Sequence, residues 1–277
     1  MICKSLKRRA QKMNKQIQIT SSQNEQIKRW KKLRSRKGRE QFRSLLIEGE
    51  HLVKEALRSK VTIRSWILNE QSKEFIEYLD HPAPIYQLSN SLFASLMETQ
   101  APQGIAAEIE MQSWQIEELL ETDDLAKTFL LLDAIQDPGN LGTILRTAEA
   151  AKVTGIFLGK GTVDRYNPKV VRAAMGSVFR LPIVQMDLST CFTYLKENGV
   201  TIVNTSPHAG NLSFEYQFPR QVAILLGNEG NGVHSDWLSF VDDEVMIPMP
   251  GNTESLNVAV TSAILLYERI RQLSIAF

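Results

Sequence analysis

The sequence predicts an α/β protein with a mostly parallel sheet and helices on both faces, preceded by a smaller α/β domain. Two observations support this fold class. Beyond about residue 128, strand-like and helix-like segments alternate, as they do where helical crossovers join parallel strands. Several strand segments, among them TFLLLDA and VAILLGNE, are unbroken apolar runs, which is typical of strands buried on both faces.

The N-terminal stretch, residues 1–43, is set apart as a basic segment. Residues 1–20 show no clear pattern and are expected to be disordered or weakly helical. Residues 21–43 begin with a serine cap and then carry apolar side chains at helical spacing, which predicts one basic helix. Those apolar side chains are Ile27, Trp30 and Leu33.

Residues 44–111 predict the small domain. LLIEGEHLVKEAL indicates a strand that runs into a helix, and TIRSWILN indicates a second strand. SKEFIEYLD has a helical pattern, PIYQLS a short strand, SNSLFASLME a capped helix, and QAPQGIAAEIE a turn and a last strand. Residues 112–127 are acidic and polar, which indicates a linker.

Residues 128–277 predict the larger domain. The strand TFLLLDA precedes the helix GNLGTILRTAEAAKV, the strand GIFLG and the helix NPKVVRAAMGS, which Asn167 caps. The strands FRLPIV and VTIVNT flank a helix through CFTYLKENG. The strands VAILLGNE and EVMIPMP follow, and SLNVAVTSAILLYERIRQL is the closing helix.

The charges are unevenly distributed along the chain. Residues 1–43 contain fifteen Lys or Arg and two acidic residues, whereas the remainder contains seventeen basic and twenty-nine acidic residues. This split favours a polyanion such as nucleic acid as the partner of the basic part, although a solvated tail would show the same pattern.

The cysteine, histidine and hydropathy patterns exclude several classes of protein. Two distant cysteines, Cys3 and Cys191, form neither a disulfide framework nor a metal motif, and the four histidines lack ligand spacing. No apolar run approaches the ~18 residues of a membrane span, and the basic N-terminus lacks the apolar core of a signal peptide. We therefore expect a cytoplasmic protein without metal or membrane contact, and Met13 is an alternative start.

Three loops stand at the predicted carboxyl ends of strands, where open α/β sheets bind ligands. DAIQDPGNLGTILRTA leads into a helix N-terminus, which suits an anion, with Arg146 close by to hold a phosphate. LLGNEGNGV has three glycines, which let the backbone approach a ligand closely. IPMPGNTESLNVAVTSA places Ser255 and Asn257 at the start of an apolar helix.

Together and in this order, the three loops resemble the signature motifs of the SpoU (TrmH-like) RNA 2′-O-methyltransferases of the SPOUT superfamily. The matching residues are Asn140, Gly142, Arg146 and Ala148 in the first motif; Leu226, Gly227, Glu229, Gly230 and Gly232 in the second; and Ile247, Pro248, Met249, Gly251, Ser255, Leu256, Asn257 and Val258 in the third. The segments LIEGEHLVKEAL and TQAPQGIAA are similar, less specifically, to the substrate-binding domain that precedes the catalytic domain in many members.

The resemblance implies a C-terminal trefoil knot, S-adenosylmethionine as cofactor, RNA (by analogy ribosomal RNA of the large subunit) as partner, and a homodimer with the active site near the subunit interface. The catalytic residues that it implies are Arg146, Asn140 and Glu229. The cofactor-binding residues that it implies are Leu226, Gly227, Ile247, Leu256 and Asn257. The substrate-binding residues that it implies are Arg146, Ser255 and Asn257.

The individual roles stay open at this point. Arginine is a poor base because its pKa lies above ~12, so Arg146 either accepts the proton in a perturbed state or holds a phosphate and stabilises the developing alkoxide. Asn140 orients Arg146 or the ribose. Glu229 anchors the arginine, shapes the pocket or caps a loop.

Three other functions compete with this interpretation. A transfer RNA methyltransferase would share the chemistry, and a non-catalytic RNA-binding protein for ribosome assembly would share the fold. The presence of all the motif residues argues against a catalytically inactive protein. A dehydrogenase is disfavoured because the glycine loop reads G-x-x-G-x-G, which is neither the dinucleotide fingerprint nor a P-loop.

Overall fold

The computed structural model describes residues 16–72, 75, 82–121 and 124–275. The chain divides into two compact units, Met1–Gln112 and Ser113–Phe277. In the described parts of the chain, no helix is both long and apolar enough to cross a bilayer.

The first unit is built on a five-stranded mixed sheet in the order β1-β4-β3-β5-β2. The strands are β1 (Gln16–Ile19), β2 (Ser44–Glu48), β3 (Ile63–Asn69), β4 (Ile85–Leu88) and β5 (Ile105–Glu110). The helices are α1 (Glu25–Lys32), α2 (Arg36–Phe42), α3 (Glu50–Arg58) and α4 (Asn90–Leu96). The predicted strands and helices between residues 44 and 111 are confirmed, except that the predicted helix SKEFIEYLD lies largely outside the described residues.

The prediction for residues 16–43 was wrong in two respects. Gln16–Ile19 is a strand that pairs in parallel with β4, and a four-residue strand is too short to give a pattern in the sequence. The single predicted helix is two helices, because the Ser35 side chain accepts a hydrogen bond from Gly38 N and starts a second helix. Residues 1–15 lie outside the described part of the chain.

A buried carboxylate anchors the basic helix α1 in the first unit. Glu108 is fully buried, and its carboxylate accepts hydrogen bonds from Trp30 Nε1 at 2.9 Å, Ser44 Oγ at 2.7 Å and Arg29 Nη1 at 3.2 Å. A buried charge is tolerated because it is paired and hydrogen-bonded in this way. Trp30 and Ile27 are part of the core, so this basic stretch packs within the unit.

The second unit is built on a seven-stranded parallel sheet in the order β10-β12-β9-β11-β6-β7-β8. The strands are β6 (Lys127–Leu132), β7 (Gly155–Leu158), β8 (Ile183–Gln185), β9 (Thr201–Thr205), β10 (Asn211–Leu212), β11 (Gln221–Leu226) and β12 (Asp243–Met246). The helices are α5 (Ile116–Leu120), α6 (Pro138–Ala150), α7 (Pro168–Ala173), α8 (Leu188–Glu197) and α9 (Val258–Ile275). The predicted alternation of strands and helices is confirmed, whereas the two-residue strand β10 was not predicted.

Part of the predicted linker belongs to the core of the second unit. Ile116 and Leu119 of α5 are buried in one cluster with Phe129 and Leu131 of β6. A methyl group on Gly155 would lie 2.1 Å from Leu119 Cδ2, so this glycine makes room for the helix. The acidic residues between these two apolar positions made the segment look like a linker.

The parallel sheet sets the position of the functional loops. The carboxyl ends of β6, β11 and β12 lie at one edge because parallel strands run in the same direction. Each of the three motif loops follows one of these strands. The fold therefore brings together segments that are more than a hundred residues apart in the chain.

Candidate active site

A pocket of about 560 Å³ opens at the carboxyl ends of the parallel strands of the second unit. Its walls come from all three motif loops and from the end of β9. The lining residues are Asn140, Thr205, Ser206, Pro207, residues 227–233, Val245, Ile247, Met249, residues 255–258 and Thr261.

One hydrogen-bonded chain of side chains joins the three motif loops. Asn140 Nδ2 donates to Glu229 Oε1 at 3.0 Å, and Asn257 Nδ2 donates to Asn140 Oδ1 at 2.9 Å. Asn257 Oδ1 accepts a hydrogen bond from Ala259 N at 2.9 Å, at the start of α9. This last contact fixes the amide orientation of Asn257, which in turn fixes that of Asn140.

Glu229 ties the second motif loop to the start of α6. Its carboxylate accepts the backbone N–H groups of Gln136 at 3.2 Å and of Asp137 at 3.1 Å, in addition to the Asn140 amide. Because these groups precede a helix N-terminus, the helix dipole also favours a negative charge here. Glu229 therefore caps the first motif loop, and its carboxylate has no hydrogen bond to Arg146 among the described residues.

The protonation state of Glu229 follows from these contacts. Partial burial acts to raise the pKa of Glu229, but the hydrogen bonds from Asn140 and from the backbone of Asp137 and Gln136 together outweigh it, and the pKa lies below its usual range. Glu229 is thus an anion at neutral pH, and an anionic carboxylate only accepts hydrogen bonds.

The glycine loop is held in a tight fold. A methyl group on Gly227 would lie 2.1 Å from the carbonyl carbon of Gly232 and 2.2 Å from Val233 N, so only glycine fits at this position. Asn228 Oδ1 accepts hydrogen bonds from Gly230 N and Asn231 N, and Asn228 Nδ2 donates to Ala134 O at 2.9 Å. The loop is therefore organised from within and bound to the end of β6.

The structure brings together most of the residues that the sequence predicted for the site. Asn140, Gly227, Glu229, Ile247, Ser255, Leu256 and Asn257 all line the pocket. Leu226 is completely buried at the end of β11 and does not line the pocket, although its carbonyl accepts a hydrogen bond from Asp133 N at 2.9 Å.

Arg146 stands apart from the pocket of its own chain. It is exposed on α6, six residues beyond Asn140, and its side chain has no hydrogen bond or ion pair with any residue that the structure describes. At 3.6 residues per turn, the two side chains point about 120° apart around the helix. Of the two roles expected of Asn140, a contact that orients Arg146 is therefore not formed among the residues that the structure describes.

Sequence reasoning missed one wall of the pocket. Thr205, Ser206 and Pro207 stand at the carboxyl end of β9, next to β11 in the sheet. The position after a strand in a parallel sheet was the available signal, but the segment has no glycine turn to attract attention. In the described part of the chain, no group of three His, Cys, Asp or Glu residues is placed to hold a metal ion.

Comparisons with known proteins match both units. The model of the SpoU rRNA Methylase family matches residues 127–267, and that of the MRM3-like substrate binding domain matches residues 24–107. The chain is 41% identical over 250 residues to the 23S rRNA (guanosine(2553)-2′-O)-methyltransferase RlmP of Bacillus subtilis, which covers 90% of this chain and 98% of that relative.

Two solved structures are similar over nearly the whole chain. One is described as an AdoMet-bound rRNA methyltransferase from Sinorhizobium meliloti, with a TM-score of 0.82 and 28% identity over 93% of this chain and 98% of that one. The other is the SpoU methyltransferase AviRb from Streptomyces viridochromogenes in complex with AdoMet, with a TM-score of 0.82 and 27% identity over 91% and 99%.

Proposed function

Because the chain belongs to the SpoU rRNA methylase family, we propose that it transfers a methyl group from S-adenosylmethionine to a ribose 2′-hydroxyl of large-subunit ribosomal RNA. The observation that carries the proposal is the pocket at which Asn140, Glu229 and Asn257 join the three motif loops. RlmP of Bacillus subtilis, which matches over both units, is named for its action on 23S ribosomal RNA, and this favours ribosomal over transfer RNA.

The lining of the pocket fits S-adenosylmethionine. Val245, Ile247, Leu256 and Val258 offer an apolar surface for a flat base, and the main chain around Gly227 can approach the ligand closely. When bound, this cofactor supplies an activated methyl group. The chain around it holds and orients the cofactor.

Two kinds of residue serve the transfer in this proposal. Arg146 is the catalytic residue: an exposed guanidinium is suited to hold a substrate phosphate and to stabilise negative charge on the ribose oxygen. Asn140 and Glu229 are positioning residues, since both are engaged in holding the motif loops together. Ser255 lines the pocket and is available to contact the substrate.

The second copy of a homodimer would place an arginine near the pocket. Three exposed apolar side chains, Val260, Ile264 and Tyr267, stand on one face of α9 at helical spacing and are 48%, 37% and 54% exposed. The helix α9 also packs beside α6, which carries Arg146. We infer that α9 forms the dimer interface and that Arg146 acts across it.

The first unit, which includes the basic segment 1–43, is assigned the binding of RNA. The exposed cations of its first two helices and of the turn between them are Lys28, Lys31, Lys32, Arg34, Arg36 and Lys37. The anchoring of α1 through Glu108 fixes the position of the helix that carries Lys28, Lys31 and Lys32. We also propose that the protein is a cytoplasmic enzyme. The trefoil knot implied by the motifs stays a prediction.

Equilibrium titration tests the proposal at its first step. S-adenosylmethionine should bind the purified full chain, and NAD should not. Methyl transfer to ribosomal RNA, recovered as a 2′-O-methyl nucleoside, would support the reaction. Binding of NAD without binding of S-adenosylmethionine would contradict it.

A further inference from the structure

The basic residues of the second unit are concentrated in one stretch of the chain. Residues 113–277 contain twelve Lys or Arg and nineteen Asp or Glu. Seven of these basic residues but only two of the acidic ones lie between residues 146 and 180. Because the rest of the unit is strongly acidic, this stretch is the part of it that attracts a polyanion.

One of the two carboxylates in this stretch is already neutralised. Glu149 is paired with Arg180, whose Nη2 lies 3.0 Å from Glu149 Oε2, and the hydrogen bond from Arg180 lowers the pKa of Glu149. Asp164 is the other carboxylate, and it accepts a hydrogen bond from the backbone of Tyr166. The stretch therefore keeps a net positive charge.

Several cations of this stretch are free to bind a ligand, and three of them stand on α6 and α7. Arg146 on α6 and Lys169 and Arg172 on α7 are all exposed. Their side chains form no hydrogen bond or ion pair with any residue in the described ranges. Exposed cations that no carboxylate neutralises suit contacts to phosphate oxygens.

Tight helix packing holds α7, with Lys169 and Arg172, against α6, the helix that carries Arg146. A methyl group on Gly142 of α6 would lie 2.4 Å from Ala173 Cβ and 2.9 Å from Val170 O of α7. Gly142 is two residues from Asn140, which lines the pocket. Lys169 and Arg172 directly precede Val170 and Ala173, the two residues of α7 that contact α6. Their charges therefore lie next to the contact between the two helices.

The loop that leads into α7 is bound to the same edge of the sheet. Gly159 N donates to Leu132 O at 2.9 Å, and Val163 N donates to Ile135 O at 2.8 Å. These two carbonyls belong to the end of β6 and to the first motif loop. The start of α7, where Lys169 stands, is thus held close to the edge at which the pocket opens.

We propose that Lys169 and Arg172, together with Arg146, form a cationic strip that binds the phosphate backbone of the RNA next to the target ribose. The inference rests on the proposed function, since the strip would bind the RNA that the proposed reaction methylates. Arg172 and Arg146 offer planar donors to phosphate oxygens, and Lys169 offers a point charge. The strip adds affinity and orientation without reading the base sequence.

The test compares two double variants of the full chain that lose the same charge. Lys169→Gln/Arg172→Gln removes the strip on α7. Lys152→Gln/Arg220→Gln removes two exposed cations that lie beyond the end of α6 and before β11, at the opposite edge of the sheet. Binding of a 23S ribosomal RNA transcript is measured by filter binding between about 50 and 200 mM salt.

The strip variant should bind RNA about tenfold more weakly at physiological salt, and its slope of log affinity against log salt should be smaller by about one to two. The control variant should keep the wild-type slope. The charge-preserving variant Lys169→Arg/Arg172→Lys should restore most of the binding. Equal slopes for the wild type and a folded strip variant would overturn the inference.

The experiments distinguish an error in the proposed RNA-binding strip from an error in the proposed reaction. If the wild type methylates the RNA and the slope does not change in the strip variant, the strip is wrong and the reaction stands. If RNA binding depends on the strip but no methyl group is transferred to any RNA, the strip stands and the proposed reaction is wrong.

Discussion

Asn257 Nδ2 donates a hydrogen bond to Asn140 Oδ1 at 2.9 Å, although 117 positions separate the two residues in the chain. The contact joins the start of the last helix to the start of α6. With the 3.0 Å bond from Asn140 Nδ2 to Glu229, it makes one side-chain network out of three loops. The geometry of the pocket that we propose for the cofactor depends on this network.

The substitution Asn257→Asp removes the hydrogen bond to Asn140 but keeps the cap of α9. Aspartate still accepts the N–H of Ala259 and caps α9, but it cannot donate to Asn140. We expect near-normal thermal stability and a large loss of S-adenosylmethionine affinity. Asn257→Ala should lose both properties, with about 1 kcal/mol less stability from the missing cap. Calorimetric titration and thermal melting measure the two effects, and normal affinity in Asn257→Asp would contradict the role of the network.

Glu229→Gln should loosen the first motif loop. A neutral amide keeps one acceptor oxygen and turns donor hydrogens toward the N–H groups of Gln136 and Asp137. We expect kcat/KM for methyl transfer to fall by about tenfold or more while the fold is kept. Glu215→Gln is the matched control, because Glu215 is exposed and lies outside the pocket. Equal kinetics of the two variants would exclude the positioning role.

The lowered pKa of Glu229 predicts how the site responds to acid. A carboxyl group whose pKa is lower in the folded than in the unfolded state stabilises the fold at pH values above its unfolded pKa. This stabilisation is lost as the pH falls through its folded pKa. S-adenosylmethionine affinity should therefore be flat from neutral pH to the usual glutamate range near pH ~4.3 and fall below it. The fall should be absent in Glu229→Gln, whose affinity is measured at the same pH values.

Gly227→Ala should destroy the proposed cofactor pocket. The added methyl group would meet the backbone of Gly232 and Val233 at 2.1 to 2.2 Å, and backbone atoms cannot move aside cheaply. Gly210→Ala is the control, since nothing lies within 4 Å of its added methyl group. S-adenosylmethionine binding should be lost in the first variant and unchanged in the second. Wild-type affinity in Gly227→Ala would show that the loop folds differently.

Tyr267→Glu should convert the proposed dimer to a monomer. Tyr267 lies at the end of the exposed apolar face of α9, and a charge there opposes burial against a second copy. Phe214→Glu is the control, because Phe214 is 50% exposed but is not on α9. Light scattering after gel filtration reports the mass. A dimeric Tyr267→Glu variant, or a monomeric wild type, would contradict the interface.

Much of the fold could be predicted because long apolar runs and capped helices alternate in the second unit. The short strands β1 and β10 could not, since two to four residues give no period and their pairing partners decide their structure. The helix α5 could not be predicted either, because it has only five residues and acidic residues lie between its two buried apolar ones. So few residues give too little periodicity to predict a helix.

The site could be predicted at the level of its loops but not of its contacts. The motifs named Asn140, Glu229 and Asn257, but only the folded chain shows that they bind one another. The separation of Arg146 from the pocket follows from helical geometry, because six residues turn the chain through more than one and a half turns. The wall formed by Thr205 and Ser206 depends on strand order, which no local pattern reveals.

Methyl transfer to RNA is the most direct test of the central claim. Total RNA from a strain that lacks this protein is incubated with the purified full chain and radiolabelled S-adenosylmethionine, then separated by size and digested to nucleosides. Arg146→Ala and the control Arg220→Gln are assayed in parallel, with S-adenosylmethionine affinity measured for each.

The account predicts label in large-subunit ribosomal RNA, recovered as a 2′-O-methyl nucleoside. It predicts transfer at least about a hundredfold slower in Arg146→Ala, with cofactor affinity kept, and normal transfer in Arg220→Gln. Label confined to transfer RNA would contradict the proposed substrate. Label in no RNA from a protein that does not bind S-adenosylmethionine would contradict the proposed enzyme altogether.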